Sequence, residues 1–266
     1  MSCSKLKTPI SYYGGKQMML KEIIPLIPEH GKYIEPFFGG GAVFWAKEQS
    51  KAEVINDVNA NVINFYEVLK HDFFKLREAI EKTLHSRETH KHAMTIYNLP
   101  YLFNRTQRAW AFWVVTNQGF ASKIGSWGYD KNGKSPLRLI NKIEQFKDVL
   151  EERMANTTIE ANDANKVIQT HDQDNVFVYA DPPYVDSNQG HYGGYTEEHF
   201  RRLLETLSTI KGKFLLSSYR SQLLNGFIDE FGWFTKEIVK TLSVKKTIGG
   251  TREQKIEVLT ANYPIE

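Results

Sequence analysis

Cysteine is nearly absent from this chain of 266 residues, and the single cysteine is Cys3. One thiol forms no internal disulfide, so the fold must rely on burial of apolar side chains, and a reducing cytoplasm is the expected location. Long apolar runs are also absent, so no membrane span is expected. The polar, lysine-bearing segment 1–9 is not expected to be a secretory signal. These absences favour a globular protein away from the membrane.

Two further absences concern metals and charge. The histidines are scattered and form no metal-ligand spacing, so no metal is expected. The 34 basic and 31 acidic residues leave a net charge of only +3, which selects no class of partner. The charge is unevenly placed, however, because segment 122–142 holds one acid, Asp130, and five basic residues: Lys123, Lys131, Lys134, Arg138 and Lys142. This segment is either a solvated loop or a nucleic-acid contact.

The first sixty residues predict a β-turn-α-β unit. Tyr33-Ile34 is a short strand, segment 35–41 is a glycine-bearing turn, 42–48 is a helix and 53–56 is a second strand. This order is the beginning of a doubly wound nucleotide-binding fold.

Between residues 61 and 152 the pattern is mostly helical. Val62, Phe65 and Leu69 recur at helical spacing, and 110–116 is a further apolar segment of helical character. Asn132-Gly133 favours a tight turn, which predicts a β-ribbon near residues 127–136. We therefore predict a helical insert over 61–152.

The α/β pattern returns after residue 153. The continuous apolar run 176–180 predicts a strand buried on both faces. A helix over 196–211 with Thr196 as its N-cap follows, and then a strand at 213–217. Segments 237–244 and 257–262 are expected to pair as antiparallel strands. The predicted class is α/β, with one sheet domain formed by 1–60 and 153–266.

Asp181-Pro182-Pro183-Tyr184 directly follows the predicted buried strand. Ligands bind at the carboxyl ends of strands in open α/β sheets, and prolines hold the local carbonyls rigidly. The N6 amine of adenine is a poor nucleophile because its lone pair is delocalised into the ring. The Asp181 carboxylate and the Pro182 carbonyl can accept its two N–H groups, while Tyr184 stacks on the ring. For this motif alone, a structural turn is the alternative.

The turn Phe38-Gly39-Gly40-Gly41 lets backbone approach a ligand at the start of the next helix. Asp57 ends the second strand, sixteen residues after Gly41. In such folds, the acid that binds the ribose hydroxyls of an adenosine cofactor lies about 20 residues after the glycine turn. The alternative for Asp57 is a helix N-cap within Asp57-Val58-Asn59.

Five motifs in this order resemble those of the Dam-type family of adenine-specific DNA methyltransferases and span nearly the whole chain. They are Tyr12-Tyr13-Gly14-Gly15-Lys16, Glu35-Pro36-Phe37-Phe38-Gly39-Gly40-Gly41, Asn56-Asp57-Val58-Asn59, Val178-Tyr179-Ala180-Asp181-Pro182-Pro183-Tyr184, and Gly249-Gly250-Thr251-Arg252 before the final strand and Asn262-Tyr263.

The resemblance implies a Rossmann-like S-adenosylmethionine methyltransferase sheet with an inserted, mostly helical target-recognition domain. The implied reaction moves a methyl group from S-adenosylmethionine to a flipped-out adenine in double-stranded DNA. The implied cofactor contacts are Tyr12, Lys16, Glu35, Phe37, Gly39, Asp57, Asp163 and Asp181. The implied catalytic residues are Asp181, Pro182 and Tyr184. For Lys16, an exposed lysine that opens a helix is the alternative.

The insert then becomes the region expected to read DNA. The candidate DNA contacts are Arg105, Arg108, Lys131, Lys134 and Arg252. Segment 104–142 departs from the Asn-, Arg- and Tyr-bearing recognition pattern of the GATC-specific members, which leaves the recognition sequence open. No obligatory protein partner is expected.

Three alternatives differ in class. Methyltransferases of protein glutamine or RNA bases usually have Asn in place of Asp181 and lack a large insert after the second strand. A silent DNA-binding module would keep the fold without turnover, although the intact glycine loop and Asp181 motif argue against decay. A nicotinamide-dependent dehydrogenase would need a Gly-x-Gly-x-x-Gly turn, which the sequence 38–41 does not match.

Overall fold

The computed structural model describes residues 6–119, 124–128, 133–185, 194–241 and 254–265. Within these ranges the chain is a mixed α/β protein with seven strands, which confirms the predicted α/β class. It divides into two compact units, one of Met1–Pro25 with Phe38–Asp163 and the other of Leu26–Phe37 with Ala164–Glu266. No helix in the described ranges has the length and apolar character needed to cross a membrane.

The elements have the following bounds. The strands are β1 Lys32–Glu35, β2 Ala52–Asn56, β3 Thr157–Glu160, β4 Val176–Ala180, β5 Lys213–Tyr219, β6 Phe234–Thr241 and β7 Gln254–Ala261. The α-helices are α1 Leu20–Ile23, α2 Ala42–Ala46, α3 Ala60–His71, α4 Phe73–Glu81, α5 Arg87–Asn98, α6 Arg105–Asn117, α7 Lys134–Glu144, α8 Val149–Met154, α9 Ala164–His171, α10 Glu197–Thr209 and α11 Gln222–Phe231. Short 3-10 helices lie at Lys16–Met19, Ile24–Leu26 and Pro100–Leu102.

The first unit joins a pair of parallel strands to a cluster of helices. β2 and β3 pair in register, with Asn56 opposite Glu160 at their carboxyl ends. Helix α6 packs against α3, α4 and α5, and its Phe112 ring lies 6.1 Å from that of Phe65 on α3. The helices predicted for residues 61–152 therefore share a contact unit with β2 and β3, and their separation as a recognition domain stays a prediction.

A buried ion cluster holds β2 in the first unit. Glu53 on β2 is only 2% exposed, and its carboxylate accepts hydrogen bonds from Lys47 and from Arg153 on α8. Burial would raise the pKa of Glu53, but the Arg153 hydrogen bond and the charge of Lys47 outweigh burial and leave that pKa below its usual value. Because the carboxylate stays ionised and paired, β2, which precedes Asp57, is fixed near its amino-terminal end.

The second unit holds five strands in the order β1-β4-β5-β7-β6. The pairs β1–β4 and β4–β5 are parallel, whereas β7 runs antiparallel to both β5 and β6. All five residues of β4 are buried, as the continuous apolar run predicts. An antiparallel pair near the end of the chain is confirmed, but its strands begin earlier than predicted, and residues 242–244 of the predicted first strand lie outside the described residues. Thr196 is confirmed as the N-cap of α10.

Two sequence expectations differ from the structure. Helix α2 ends at Ala46 rather than near residue 48, because Lys47 adopts extended backbone and turns its ammonium group towards Glu53. The predicted ribbon is wrong at its end, since residues 134–136 open α7 after Gly133 in the left-handed region. Pro136 fits there because the first turn of a helix has no partner for its N–H groups. The centre of the ribbon, 129–132, lies outside the described residues.

Candidate functional site

The glycine turn of the first unit is a close-packed backbone structure. Gly39 and Gly41 have φ values of +47° and +62°, which favour glycine. A Cβ atom on Gly41 would lie 2.4 Å from the ring of Phe38, which itself packs edge-on against Tyr66 at 4.7 Å. The Tyr66 hydroxyl donates to the Gly39 carbonyl at 3.2 Å. The ring of Phe38 therefore fills the space beside Gly41, and a side chain at this position would disturb the packing of the buried turn.

Tyr12 covers this turn from one side. A Cβ on Gly39 would lie 2.8 Å from the Tyr12 ring, and one on Gly40 would lie 3.1 Å from the Tyr12 Cβ. The Tyr12 ring also lies 6.2 Å from that of Phe112 on α6, and the amide of Asn59 donates to its hydroxyl at 3.3 Å. The structure thus brings together two predicted cofactor residues, Tyr12 and Gly39.

Asp57 joins the glycine turn to the end of β2. Its Oδ2 accepts the N–H of Gly39 at 2.8 Å and its Oδ1 accepts the N–H of Asn59 at 2.8 Å, with only 2% of the residue exposed. The N-cap of α3 is Asn59, whose side chain accepts the N–H of Asn61, so the alternative role of Asp57 as the N-cap is wrong. The carboxylate of Asp57 is therefore fixed by backbone N–H groups on two sides.

Asp163 lies on the loop after β3, beside the loop after β2. The side chain of Asn56 fixes this loop, because its amide donates to the Asn162 carbonyl at 3.0 Å and its oxygen accepts the Asn162 N–H at 2.8 Å. Asp163 itself is exposed. Since β2 and β3 are parallel neighbours, Asp57 and Asp163 follow the same edge of the strand pair.

Lys16 is buried, with 4% of the residue exposed, and its ammonium group donates to the Gly14 carbonyl at 3.3 Å. It opens a short 3-10 helix, but the alternative of an exposed surface lysine is wrong. Lys16 therefore lies inside the first unit, which also contains the glycine turn.

In the second unit, Glu35 is the last residue of β1 and Phe37 follows that strand. Glu35 is 3% exposed, and its carboxylate accepts the hydroxyl of Tyr33 at 2.6 Å. The Phe37 ring meets the ring of Tyr195 edge-on at 6.3 Å. Both predicted cofactor residues are therefore held at the carboxyl end of a parallel strand.

The segment that follows β4 carries the predicted catalytic residues. Pro182 and Pro183 are buried, whereas Asp181 and Tyr184 are half-buried. The Tyr184 hydroxyl donates to Glu257 on β7 and lies 3.3 Å from the hydroxyl of Ser217 on β5. Burial, followed by the charges of Asp181 and Glu257, raises the pKa of Tyr184 well above its usual value. The phenol therefore stays protonated and acts as a hydrogen-bond donor.

A cavity of about 190 Å³ adjoins this segment. Residues 182–185 form one wall, Glu197 and Phe200 of α10 form another, and residues 218–221 at the end of β5 form a third. The Tyr184 ring on this wall lies 4.3 Å from the ring of Tyr219, at an angle of 53°. The cavity thus combines an aromatic face with the carboxyl ends of two parallel strands.

The predicted DNA contacts lie on α6, on α7 and outside the described residues. Arg105 and Arg108 lie in the first turns of α6, where Arg105 is exposed and forms an ion pair with Glu67. Lys134 is exposed at the start of α7. Lys131 and Arg252 lie outside the described residues.

Sequence reasoning missed two residues that shape these segments. Asn59 links the α3 N-cap to Tyr12, and a polar residue just before a helical apolar pattern is a recognisable N-cap signal. Glu257 is a lone acid in the apolar run 256–259, and a buried charge of that kind signals a partner.

Comparison with known proteins adds a family to this geometry. Residues 12–242 match the family described as D12 class N6 adenine-specific DNA methyltransferase. The chain is 29% identical to the type II methyltransferase M1.LlaDCHI of Lactococcus lactis subsp. cremoris, over 94% of this chain and 93% of that protein. It is 24% identical to the DNA adenine methylase of Salmonella typhi, over 96% and 95% of the two chains.

Solved structures give weaker matches. The precorrin 8W decarboxylase of Methanobacterium thermoautotrophicum aligns with a TM-score of 0.41 at 11% identity, over 96% of this chain and 95% of that chain. An rRNA methylase of Streptococcus thermophilus aligns with a TM-score of 0.38 at 7% identity, over 92% and 93% of the two chains. These scores are too low to support any statement about activity.

The family match covers most of the sequence, and the chain belongs to the D12 class of S-adenosylmethionine-dependent, N6 adenine-specific DNA methyltransferases.

Proposed function

We propose that this enzyme modifies specific sites in double-stranded DNA in the cytoplasm, and that it takes the target adenine out of the helix to do so. A base inside a duplex is inaccessible to a reaction at its amine, so unstacking at a cost of a few kcal/mol is required. Relatives named as type II methyltransferases support a role in restriction and modification.

The cofactor-binding role is assigned to the predicted cofactor contacts. When bound, S-adenosylmethionine supplies a methyl group on a positively charged sulfur. Asp57, whose carboxylate is oriented by two backbone N–H groups, accepts the ribose hydroxyls. Buried Lys16 offers a cation to the cofactor's carboxylate, and Tyr12 and Gly39, which pack together, contact the cofactor at the glycine turn. Asp163 accepts from the adenine amine, while Glu35 and Phe37 line the end of β1.

The catalytic role is assigned to the segment after β4, and the observation that carries it is the placement of Asp181 and Tyr184. Asp181 follows a fully buried strand and Tyr184 forms one wall of a cavity. The Asp181 carboxylate and the Pro182 carbonyl accept the two N–H groups of the target amine. This hydrogen bonding favours a tetrahedral nitrogen with an available lone pair. Tyr184 stacks on the base, and Asp181 is also a contact of the cofactor.

DNA contact is assigned to the first unit and to the end of the chain. Arg105, Arg108 and Lys134 supply positive charge from α6 and α7, where they suit phosphate or guanine. Lys131 and Arg252 complete the proposed set.

The proposed role of Asp181 is tested with the Asp181→Ala variant and labelled S-adenosylmethionine. We expect wild-type enzyme to place label in N6-methyladenine of unmethylated DNA, and sequencing of the modified positions then gives the recognition site. The variant should lose at least about a hundredfold in transfer rate, as when a preorganised group of an active site is removed. DNA binding should be retained, because Asp181 is not a phosphate contact.

The matched control is Asp229→Ala, which removes an exposed acid from α11. It should transfer at the wild-type rate. Label in cytosine would overturn the assigned base, and an Asp181→Ala variant that keeps most of its turnover would overturn the role of this carboxylate.

A further inference from the structure

The hydroxyl of Tyr184 is held by groups from two other strands. It donates to the carboxylate of Glu257 on β7 and lies 3.3 Å from the hydroxyl of Ser217 on β5. Ser217 in turn donates to the same carboxylate oxygen of Glu257 at 3.4 Å. The three side chains therefore form one connected hydrogen-bond network in the second unit.

The register of β5 and β7 puts this network on one face of the sheet. Glu257 lies opposite Tyr219, and Ser217 is two residues from Tyr219 on the same strand. Side chains two apart on a strand share a face. The ring of Tyr219 contacts the ring of Tyr184 at 4.3 Å, so Tyr184 is held at its hydroxyl by Glu257 and at its ring by the residue opposite Glu257.

Glu257 is an unusual residue for a buried strand position, because a buried carboxylate needs hydrogen-bond donors to stabilise it. Only 2% of the residue is exposed, and its neighbours 258 and 259 are fully buried apolar residues. An ionised carboxylate is costly to bury without hydrogen-bond donors. Hydrogen bonds to a charged acceptor are roughly twice as strong as neutral ones, which makes Glu257 a firmer anchor for a phenol than a neutral side chain would be.

The position of the Tyr184 ring matters because a tyrosine side chain turns about two bonds. A ring that stacks on a base must be presented in one plane, and each additional orientation in the free enzyme lowers the fraction that is ready to react. A fixed hydroxyl removes most of this freedom.

We propose that Glu257 is a positioning residue for methyl transfer, which holds the Tyr184 ring in the plane where the target base stacks. Ser217 supports the same anchor. The inference rests on the proposed function, because it takes the stacking role of Tyr184 as given.

Four variants test the proposal: Glu257→Gln, Glu257→Leu, Tyr184→Phe and the double variant Tyr184→Phe/Glu257→Leu. The transfer rate is measured in a single turnover with DNA and cofactor saturating. Glu257→Leu and Tyr184→Phe should each fall by about tenfold, equivalent to loss of one charge-assisted hydrogen bond. Glu257→Gln keeps an acceptor without the charge, so its rate should lie between wild type and Glu257→Leu.

The double variant decides whether Glu257 acts through Tyr184. If it does, the double variant should be no slower than the slower single variant, because both changes remove the same interaction. Affinity for S-adenosylmethionine should stay at the wild-type value in all four variants. The fluorescence of 2-aminopurine at the target position should rise in the single variants, because the base is less well stacked on the ring.

Folding is controlled in two ways. Thermal unfolding is followed for each variant. The double variant removes the hydroxyl of Tyr184 and the carboxylate of Glu257 together, so neither is left facing an apolar replacement of the other, while the buried hydroxyl of Ser217 loses both of these contacts. Glu257→Gln is nearly isosteric and decides the question if Glu257→Leu does not fold. The matched control Glu205→Gln, on the exposed face of α10, should match wild type.

The outcomes distinguish a failure of the proposed function from a failure of the positioning role of Glu257. A wild-type enzyme that labels no adenine would overturn the proposed function. An active wild type with Glu257→Gln and Glu257→Leu at the same rate would overturn only the positioning role. A double variant whose loss equals the product of the two single losses would also overturn it, since the residues would then act independently.

Discussion

Asp57, which is proposed to bind the ribose, also supports the fold. Its carboxylate accepts two backbone N–H groups, one from the glycine turn and one from the start of α3. These bonds fix the carboxylate before any cofactor arrives. A group that is already oriented costs less entropy on binding, so a large part of its hydrogen-bond energy goes into affinity.

The Asp57→Ala variant should therefore bind S-adenosylmethionine at least about tenfold more weakly, as expected when a charged hydrogen-bond acceptor is lost. Isothermal titration calorimetry measures the dissociation constant directly. Asp174→Ala, which removes an exposed acid before β4, should leave the constant unchanged. A dissociation constant for Asp57→Ala within about twofold of the wild-type value would contradict the ribose-binding role.

Some features of single residues could be predicted from the sequence, and others could not. Asp57 and Asp181 could be selected from sequence, because each follows a predicted strand and bears a charge. The burial of Lys16 and the contact of Glu257 with Tyr184 could not, since both depend on side chains that are distant in sequence. Local spacing in the sequence predicts which residues follow a strand. It does not predict which other strands pack beside that strand.

Elements of this chain differ in how clearly their sequence predicts them. Strand β4 is apolar throughout, and α3 repeats its apolar residues at helical spacing, so both are evident. Helix α5 buries only His90, Ala93 and Ile96, so its pattern is too sparse to see. Helix α7 has the turn signal Asn132-Gly133 at its start, and this signal is shared by hairpins and helix beginnings.

Helix α6, which carries Arg105 and Arg108, begins with a capping box. Asn104 accepts the N–H of Gln107 at 2.9 Å, and Gln107 accepts the N–H of Asn104 at 3.2 Å. Asn104→Ala should lower the free energy of unfolding by about 1 kcal/mol, because an N-cap acceptor is lost. Urea unfolding measures this difference.

The comparison for this variant is Asn98→Ala, at the exposed last position of α5, which caps no helix N-terminus. It should change the free energy of unfolding by less than about 0.5 kcal/mol. Equal effects of the two variants would show that the capping box contributes nothing at this position.

The whole molecule carries little net charge for a protein that binds a polyanion. A charge of +3 gives weak overall attraction, so local clusters must supply the contacts. The predicted division into a catalytic domain and a recognition insert does not coincide with the two contact units, because the helices of 61–152 pack with β2 and β3. Sequence indicates where element types change, but contact units also depend on packing between distant segments.

The salt dependence of DNA affinity tests whether the exposed lysine at the start of α7 contacts DNA. Lys134→Ala should reduce the slope of log affinity for DNA against log salt concentration by about 1, as for one lost phosphate contact. Lys21→Ala, an exposed lysine on α1, should leave the slope unchanged. If the two variants change the slope equally, DNA binding depends on total charge and not on α7.

The packing of the glycine turn has a consequence for judging related sequences. Gly39 and Gly41 are required by the rings of Tyr12 and Phe38, whether or not a cofactor is bound. A descendant of this fold that had lost all turnover would still be under pressure to keep them, since any side chain there would disturb its core. The glycines are therefore a marker of ancestry, and an inactive relative is better recognised by the acids that follow β2 and β4.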